Sequence, residues 1–431
     1  MNQWLKRVVS RFTLTNNTSY VPSNYEKLNK TQLIQKIQTL ENRLKKKNEH
    51  SIKEKVDRKP FDISQYGERR IALKVAYLGW NYSGFASQND ELVTPTVEGQ
   101  LFKALRSCKL IMHQDRCQFT RCGRTDKGVS GLGQVVALNV RSKQDKSSET
   151  AEPVPYIEIL NKLLPDDVRI LAWAPVQPTF SARFDCKSRT YKYFFEKGKL
   201  DLDLMREAAV YMTGSHDFRN FCRLDPSKNI TSYERTVLYL DILPVEGNDR
   251  FYQVELKGTA FLWHQVRCIM SILFLVGQKL EKPEIVKALL DIDQVSARPD
   301  YPMASDLPLM LYDCEFDGID WIYAHERSRI TTMPSPVRTY RHFHQLWNAS
   351  VIKGLLFETV LDKIENESVV HNIGVSQFIE SSEMQQQTVL LGAGKAVRTT
   401  QYKPLLTRQR ADSDQVKKEK YRLKQLNKKN I

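Results

Sequence analysis

Apolar and polar positions divide the chain into short stretches of two different periods. Ile71, Leu73, Val75 and Tyr77 alternate with Ala72, Lys74 and Ala76, a period of two that predicts a strand, and Gly79 with Asn81-Tyr82-Ser83-Gly84 breaks it. Thr96 caps the next stretch, in which Val97, Leu101, Ala104 and Leu105 recur at helical period. Further strands are predicted over residues 134–140, 168–173, 190–195 and 251–257. A helix is predicted from about Leu202 to a stop at Gly214, and a longer apolar one from Phe261 to Gly277. This alternation implies an α/β or α+β sheet with helices on one face. Beyond Ser335 the pattern loosens into helical pieces and polar links. Ahead of the body, Leu33, Ile37, Leu40 and Leu44 are spaced four, three and four apart, a short coiled-coil-like seam.

Charge changes this picture through its placement. Of the formal +15, residues 1–60 carry +9 (14 Lys/Arg against 5 Asp/Glu) and residues 395–431 carry +9 (12 against 3), leaving −3 between them. A near-neutral body with two cationic arms suits a polyanion larger than a metabolite, nucleic acid ahead of an anionic membrane, because each neutralised phosphate releases a counterion. Solubilising tails are the plain alternative. Seven scattered cysteines with no C-x-x-C pair read as thiols of a reducing compartment. The longest apolar run, Cys268 to Val276, has nine residues, against the roughly twenty that cross a bilayer. No membrane role is expected. The first fourteen residues lack acids and set Trp4, Leu5, Val8, Val9 and Phe12 against Lys6, Arg7 and Arg11, a pattern shared by mitochondrial presequences and ordinary amphipathic tails.

Candidate chemistry concentrates in RCGRTDKGVSGLGQ, residues 121–134. An isolated Asp-x-Gly is usually a turn, with Asp accepting backbone hydrogen bonds and Gly supplying positive φ. Here Arg124, Lys127 and Arg121 flank Asp126 and favour its ionised form, which suits a nucleophile better than a general acid. Val129 stands where a P-loop needs lysine, and the stretch feeds a strand where a dinucleotide fingerprint needs a helix. No metal is expected, since His342-x-His344 is the only close histidine pair and has no companion ligands. In the apolar helix, His264, Arg267 and Ser271 form a polar stripe; a buried arginine there needs an anion, with Asp126 a candidate and solvent exposure the alternative. Tyr191 and Tyr193, beside Arg189, offer either a stacking ring for a base or ordinary core packing.

The stretch GRTDKGVSGLGQV resembles the G-R-T-D-x-G-V-x-A-x-G-Q signature of the tRNA pseudouridine synthase A family. ALKVAYLGWNYSGFASQ, SARFDCKSRTYKYFF, GSHDFRNF, FLWHQVRCIM and PLMLYDCEF follow that family's order, so the resemblance spans about residues 61–325. WHQVRCIMSILFLVGQ, the FDIS-x-x-G-x-R segment and QYKPLL are similar to the eukaryotic branch acting at tRNA positions 38 and 39. The resemblance implies an α+β pseudouridine synthase fold: a mixed, mostly antiparallel sheet in two similar halves, helices on one face and a central basic cleft. It divides the chain into a basic extension with a short coil (1–60), a half carrying the nucleophile (61–180), a second half (181–334) and a helical extension with a basic tail (335–431).

The same resemblance implies isomerisation of uridine to pseudouridine in the anticodon stem-loop of tRNA, without cofactor or metal, by a homodimer. Asp126 would attack uracil C6 or ribose C1′; Tyr191 would stack on the uracil and assist late proton removal; Arg267 would pair with the catalytic carboxylate; Arg124 would hold the flipped nucleotide out of its stack; and Leu311 would pack near the pocket. Nucleus and cytoplasm are the expected compartments, with a mitochondrial pool compatible with the N-terminal segment. Gly131 stands where the family usually has alanine and is expected to add flexibility beside Asp126. The alternative is a non-catalytic structured-RNA-binding protein on the same fold.

Overall fold

The computed structural model describes residues 66–88, 94–142, 154–227, 230–324, 333–370, 373–383 and 387–429, with helical positions at 35, 38, 39 and 41. Met1–Asp62 and Ile63–Ile431 are separate units, and the second is the subject below. The predicted segment 1–14 and the seam at Leu33, Ile37, Leu40 and Leu44 lie outside the described residues.

Strand β1 (Gly67–Tyr77) pairs antiparallel with β3 (Ser130–Ser142) on one side and with β4 (Val168–Pro175) on the other. A short β2 (Thr120–Arg121) adds to β3. The second half holds β5 (Ser188–Glu196), β6 (Gly214–Asp217), β7 (Glu234–Val245), β8 (Asn248–Gly258) and β9 (Leu309–Glu315). Together they form one nine-stranded sheet, in the order β4-β1-β3-β9-β5-β8-β7-β6 with β2 off that path. Its described pairings are antiparallel except β3–β9, a short parallel contact (Ser130↔Met310, Gly131↔Leu311) that joins the halves. The fold is therefore α+β with a mixed, mostly antiparallel sheet, as the sequence led us to expect.

Period-two alternation sorts side chains to the two faces. Ile71, Leu73 and Val75 meet Val136, Leu138 and Val140 beneath α1 (Val97–Ser107) and α2 (Tyr156–Asn161), while Ala72, Val135 and Ala137 turn the other way onto Leu311 and three cysteines. In the second half Tyr193, Phe195, Val254 and Leu256 pack under α3 (Leu202–Val210), α4 (Gln265–Gly277) and α5 (Ile285–Leu290). Each fully buried aliphatic side chain stabilises the fold by about 2 kcal/mol. Capping follows the sequence: Thr96 Oγ1 accepts from Gly99 N at 3.1 Å, and Asp201 Oδ1 accepts from Leu204 N at 3.2 Å.

Three expectations need correction. The helix opening at Leu202 ends at Val210, because Gly214, with φ +106°, begins β6. The apolar helix starts at Gln265, because His264 is left-handed (φ +63°), so residues 261–264 form a separate turn. Beyond Ser335 the chain forms one 33-residue helix, α6 (Ser335–Glu367), followed by α7 (Val375–Glu383) and a terminal α8 (Asp414–Lys429). Between α7 and α8 the segment is anchored to the second half: Val389 and Leu405 enter its core, and Gln278 Nε2 donates to Thr388 O at 2.7 Å.

Candidate active site

The turn holding Asp126 is clamped by the loop after β1. Phe85 N donates to Thr125 O (3.1 Å), Gly128 N to Tyr82 O (3.2 Å) and Gly79 N to Ser130 Oγ (3.0 Å). Close approach requires glycine at position 79, where a Cβ would lie 1.9 Å from Val129 O. Inside the turn Gly128 has φ +81°, and Val129 N closes on Asp126 O at 3.2 Å. Most of the hydrogen bonds that clamp this turn run through the backbone, and the Asp126 carboxylate faces another element.

That element is the turn before α4. Trp263 Nε1 donates to Asp126 Oδ1 at 3.1 Å, and His264 Nε2 lies 3.5 Å from Oδ2, with the Asp126 side chain 23 % exposed. The two rings stack on each other, centroids 4.3 Å apart. Leu262 N, bonded to Gln265 Oε1 at 2.7 Å, helps to shape this turn. Both oxygens are therefore oriented while the group keeps access to solvent.

Arg267, expected to pair with Asp126, is engaged elsewhere. Its Nε donates to Ala304 O at 2.8 Å and its terminal nitrogen lies 3.7 Å from Asp306 Oδ1. Asp306 in turn fills the space beside Gly128, where a Cβ would fall 2.0 Å from Oδ2. The helix arginine therefore reaches the Asp126 turn through Asp306. The helix begins too late for His264, Arg267 and Ser271 to share one stripe; Ser271 Oγ instead donates to Arg267 O at 2.9 Å. Arg121 is committed to the buried Glu98 at 2.7 Å, whose carboxyl pKa is raised by burial despite that partner. Arg124 and Lys127 lie on the exposed side of the turn.

Tyr191 and Leu311 are brought beside the turn by the sheet. Leu311 on β9 is fully buried and is register partner both to Gly131, five residues past Asp126, and to Tyr191 on β5. Tyr191 meets Phe261 edge-on with ring centroids 5.1 Å apart. Desolvation raises its phenol pKa well above the ordinary value, so the hydroxyl keeps its proton. Gly131 is a space requirement and not a source of flexibility: a Cβ would lie 2.6 Å from Cζ and Oη of Tyr77, whose hydroxyl sits 2.8 Å from Thr125 Oγ1. Trp263, Asp306 and Tyr77 were missed in the sequence because their roles depend on distant partners.

Cys122, Cys186 and Cys314 form the one group among the described residues able to hold a metal ion: buried sulfurs within 4.8 Å of one another, a geometry suited to a soft cation. Cys122 Sγ lies 3.3 Å from Cys186 Sγ and 3.2 Å from Cys314 Sγ. Hydrogen bonds from Cys122 and then Cys314 draw the Cys186 thiol pKa down, with the Arg189 charge adding to them, while its two partners are pushed up. His342 and His344 form no such group; His342 bonds Asp166 O at 2.6 Å.

A family model described as "tRNA pseudouridine synthase" matches residues 208–317. The chain is 44 % identical over 353 residues to the tRNA pseudouridine(38/39) synthase of Saccharomyces cerevisiae, covering 74 % of this chain and 79 % of the relative. It is 38 % identical over 416 residues to the human protein of that name, covering 87 % and 84 %. A tRNA pseudouridine synthase A of Methanothermobacter thermautotrophicus is 37 % identical over 230 residues, covering 52 % and 74 %.

Proposed function

The chain belongs to the tRNA pseudouridine synthase family, an isomerase acting on tRNA uridine, and from that premise we propose that Asp126 is its nucleophile at positions 38 and 39 of the anticodon arm. The carboxylate bonded by Trp263 at 3.1 Å, partly open to solvent in a turn clamped by the Gly79–Phe85 loop, is the observation that carries this assignment. An oriented anion of this kind attacks the target nucleoside, at uracil C6 or ribose C1′, without the cost of reorganising its surroundings. The N1–C1′ bond breaks with its electron pair on the base, the base turns, C5 bonds to C1′, the bond to Asp126 breaks to release the carboxylate, and the proton lost from C5 is matched by one gained at N1, so the product is an isomer. Tyr191, protonated and held against Phe261, stacks on the uracil; its raised pKa keeps the hydroxyl a hydrogen-bond donor, and it assists the late removal of the C5 proton only by passing its own proton on as it takes that one. Arg124, exposed on the turn, fills the space that the extruded nucleotide leaves.

Incubating the protein with anticodon stem-loop RNA and mapping pseudouridine tests the assignment. Asp126→Ala should abolish product while RNA binding persists; retained product overturns the nucleophile, and binding without product from the unaltered protein favours a non-catalytic RNA binder.

The active form is proposed to be a homodimer. α6 supports this, since Leu356, Phe357 and Leu361 are 63 %, 71 % and 65 % exposed and belong to a helix apolar on several sides. Light scattering should give a dimer mass and Phe357→Glu a monomer; a monomeric wild type at micromolar concentration refutes it. The cationic ends, +9 each, are proposed to hold the tRNA outside the anticodon arm. Nuclear and cytoplasmic residence, with a mitochondrial pool, is the compartment expected of this activity; fractionation with a tagged chain tests it.

A further inference from the structure

A cavity of 310 Å³ has Trp263, the residue that bonds Asp126, in its wall, and Arg223, Arg298 and Lys417 line it. Three cations face it with a single carboxylate, Asp412, whose Oδ2 is held by Lys420 at 2.7 Å. Arg298 lies flat on the Tyr301 ring at 3.7 Å and gives one terminal nitrogen to Tyr301 O at 2.7 Å, but its buried Nε has no acceptor. Lys417 is half-buried, and desolvation lowers its pKa although Asp412 opposes that shift. The walls come from four separate parts of the chain, at 222–224, 263, 298 and 411–417. Arg223 N donates to Trp263 O at 3.1 Å, and Ala411 N to Arg298 O at 2.8 Å, so the C-terminal segment is fastened where it supplies Lys417.

Net positive charge from three separate segments and a wall that includes Trp263, the donor to Asp126, together specify a ligand. We propose that this cavity is a phosphate subsite, taking a phosphodiester of the RNA strand beside the target uridine. The proposal rests on the reading of Asp126 as nucleophile for its register, but its chemistry is separate: it assigns binding energy to Arg223, Arg298 and Lys417, and it makes the C-terminal helix α8 part of the substrate site. A bound phosphate pairs with the three cations at once and offsets the burial of Lys417. Trp263, which lines the subsite and bonds Asp126 Oδ1, then ties the position of the phosphate to that of the nucleophile.

The test uses the full chain with anticodon stem-loop RNAs that carry one neutral methylphosphonate at a time around the target uridine. Lys417→Gln and, separately, the exposed Arg223→Gln should each weaken binding about tenfold and lower the salt slope by roughly one, with an unchanged melting temperature. One methylphosphonate position should weaken wild-type binding by the same factor and leave the Lys417→Gln protein unaffected. Additive losses at every position overturn the proposal. Inorganic phosphate distinguishes the source: if it raises the melting temperature in a Lys417-dependent way while no methylphosphonate couples to Lys417, the cavity binds free anion and the RNA assignment is wrong. Pseudouridine formed by Asp126→Ala would sink the nucleophile reading while leaving the phosphate coupling intact, so the two failures are separable.

Discussion

Replacing Gly79 with alanine tests whether the loop after β1 positions the catalytic turn. The new Cβ would sit 1.9 Å from Val129 O and 2.4 Å from Val129 C. Ordinary contact begins near 3.4 Å, so the two backbones must separate by about 1.5 Å, and no rotamer relieves a carbonyl. Overpacking a filled site costs about 1–3 kcal/mol; with backbone on both sides the upper end applies, about 3 kcal/mol. At roughly 2 cal/mol/K of unfolding entropy per residue, that lowers Tm by about 4 °C for a unit the size of Ile63–Ile431. The displacement lies three residues from Asp126, and a misplacement of about 1 Å slows such chemistry about 100-fold. Calorimetry and single-turnover pseudouridine formation measure both effects. Gly123→Ala is the control, since nothing lies within 4 Å of its added Cβ. Should Gly79→Ala match Gly123→Ala in Tm to within about 1 °C and in rate to within about twofold, the clamp does not position the nucleophile.

Other outcomes follow from the same geometry. Tyr77→Phe removes the 2.8 Å bond to Thr125 and should cost about 1 kcal/mol in urea unfolding while slowing turnover. A double-mutant cycle on Arg267→Gln and Asp306→Asn should give a coupling of about 1 kcal/mol in stability; strict additivity would dissolve the link to the turn. Asn220→Ala, deleting buried bonds to Leu289 O (3.0 Å) and Val295 O (2.6 Å), should cost about 2 kcal/mol with activity per folded molecule unchanged. The Asp201 pKa is lowered, first by the bond from Leu204 N, so its stabilisation is present above the unfolded carboxyl pKa and lost as pH falls through the folded one. The stability advantage of wild type over Asp201→Ala should accordingly shrink between about pH 5 and pH 3.

Local patterns reveal themselves in one dimension. The alternation of Ile71, Leu73 and Val75 announced β1, Thr96 announced the start of α1, and the glycine-rich run at Asp126 announced a special turn, because each depends on neighbours within a few residues. β9 was not foreseen: its seven residues alternate weakly, yet it is the strand that puts Leu311 between Gly131 and Tyr191. α4 was drawn four residues too long, since nothing in Phe-Leu-Trp-His signals that His264 would turn left-handed.

The motifs over residues 61–325 were enough to recognise the family, through it the α+β class, and the aspartate to examine. What touches that aspartate was settled by folding in three dimensions. Trp263 lies 137 positions away, and Arg267 closes on Asp306 in preference to it. Gly131 proved to be a matter of room for Tyr77, and three thiols scattered from Cys122 to Cys314 came into contact. The physical reason is common to all of these: contact between distant residues depends on sheet register and loop packing, and neither leaves a period in the chain for inspection to find.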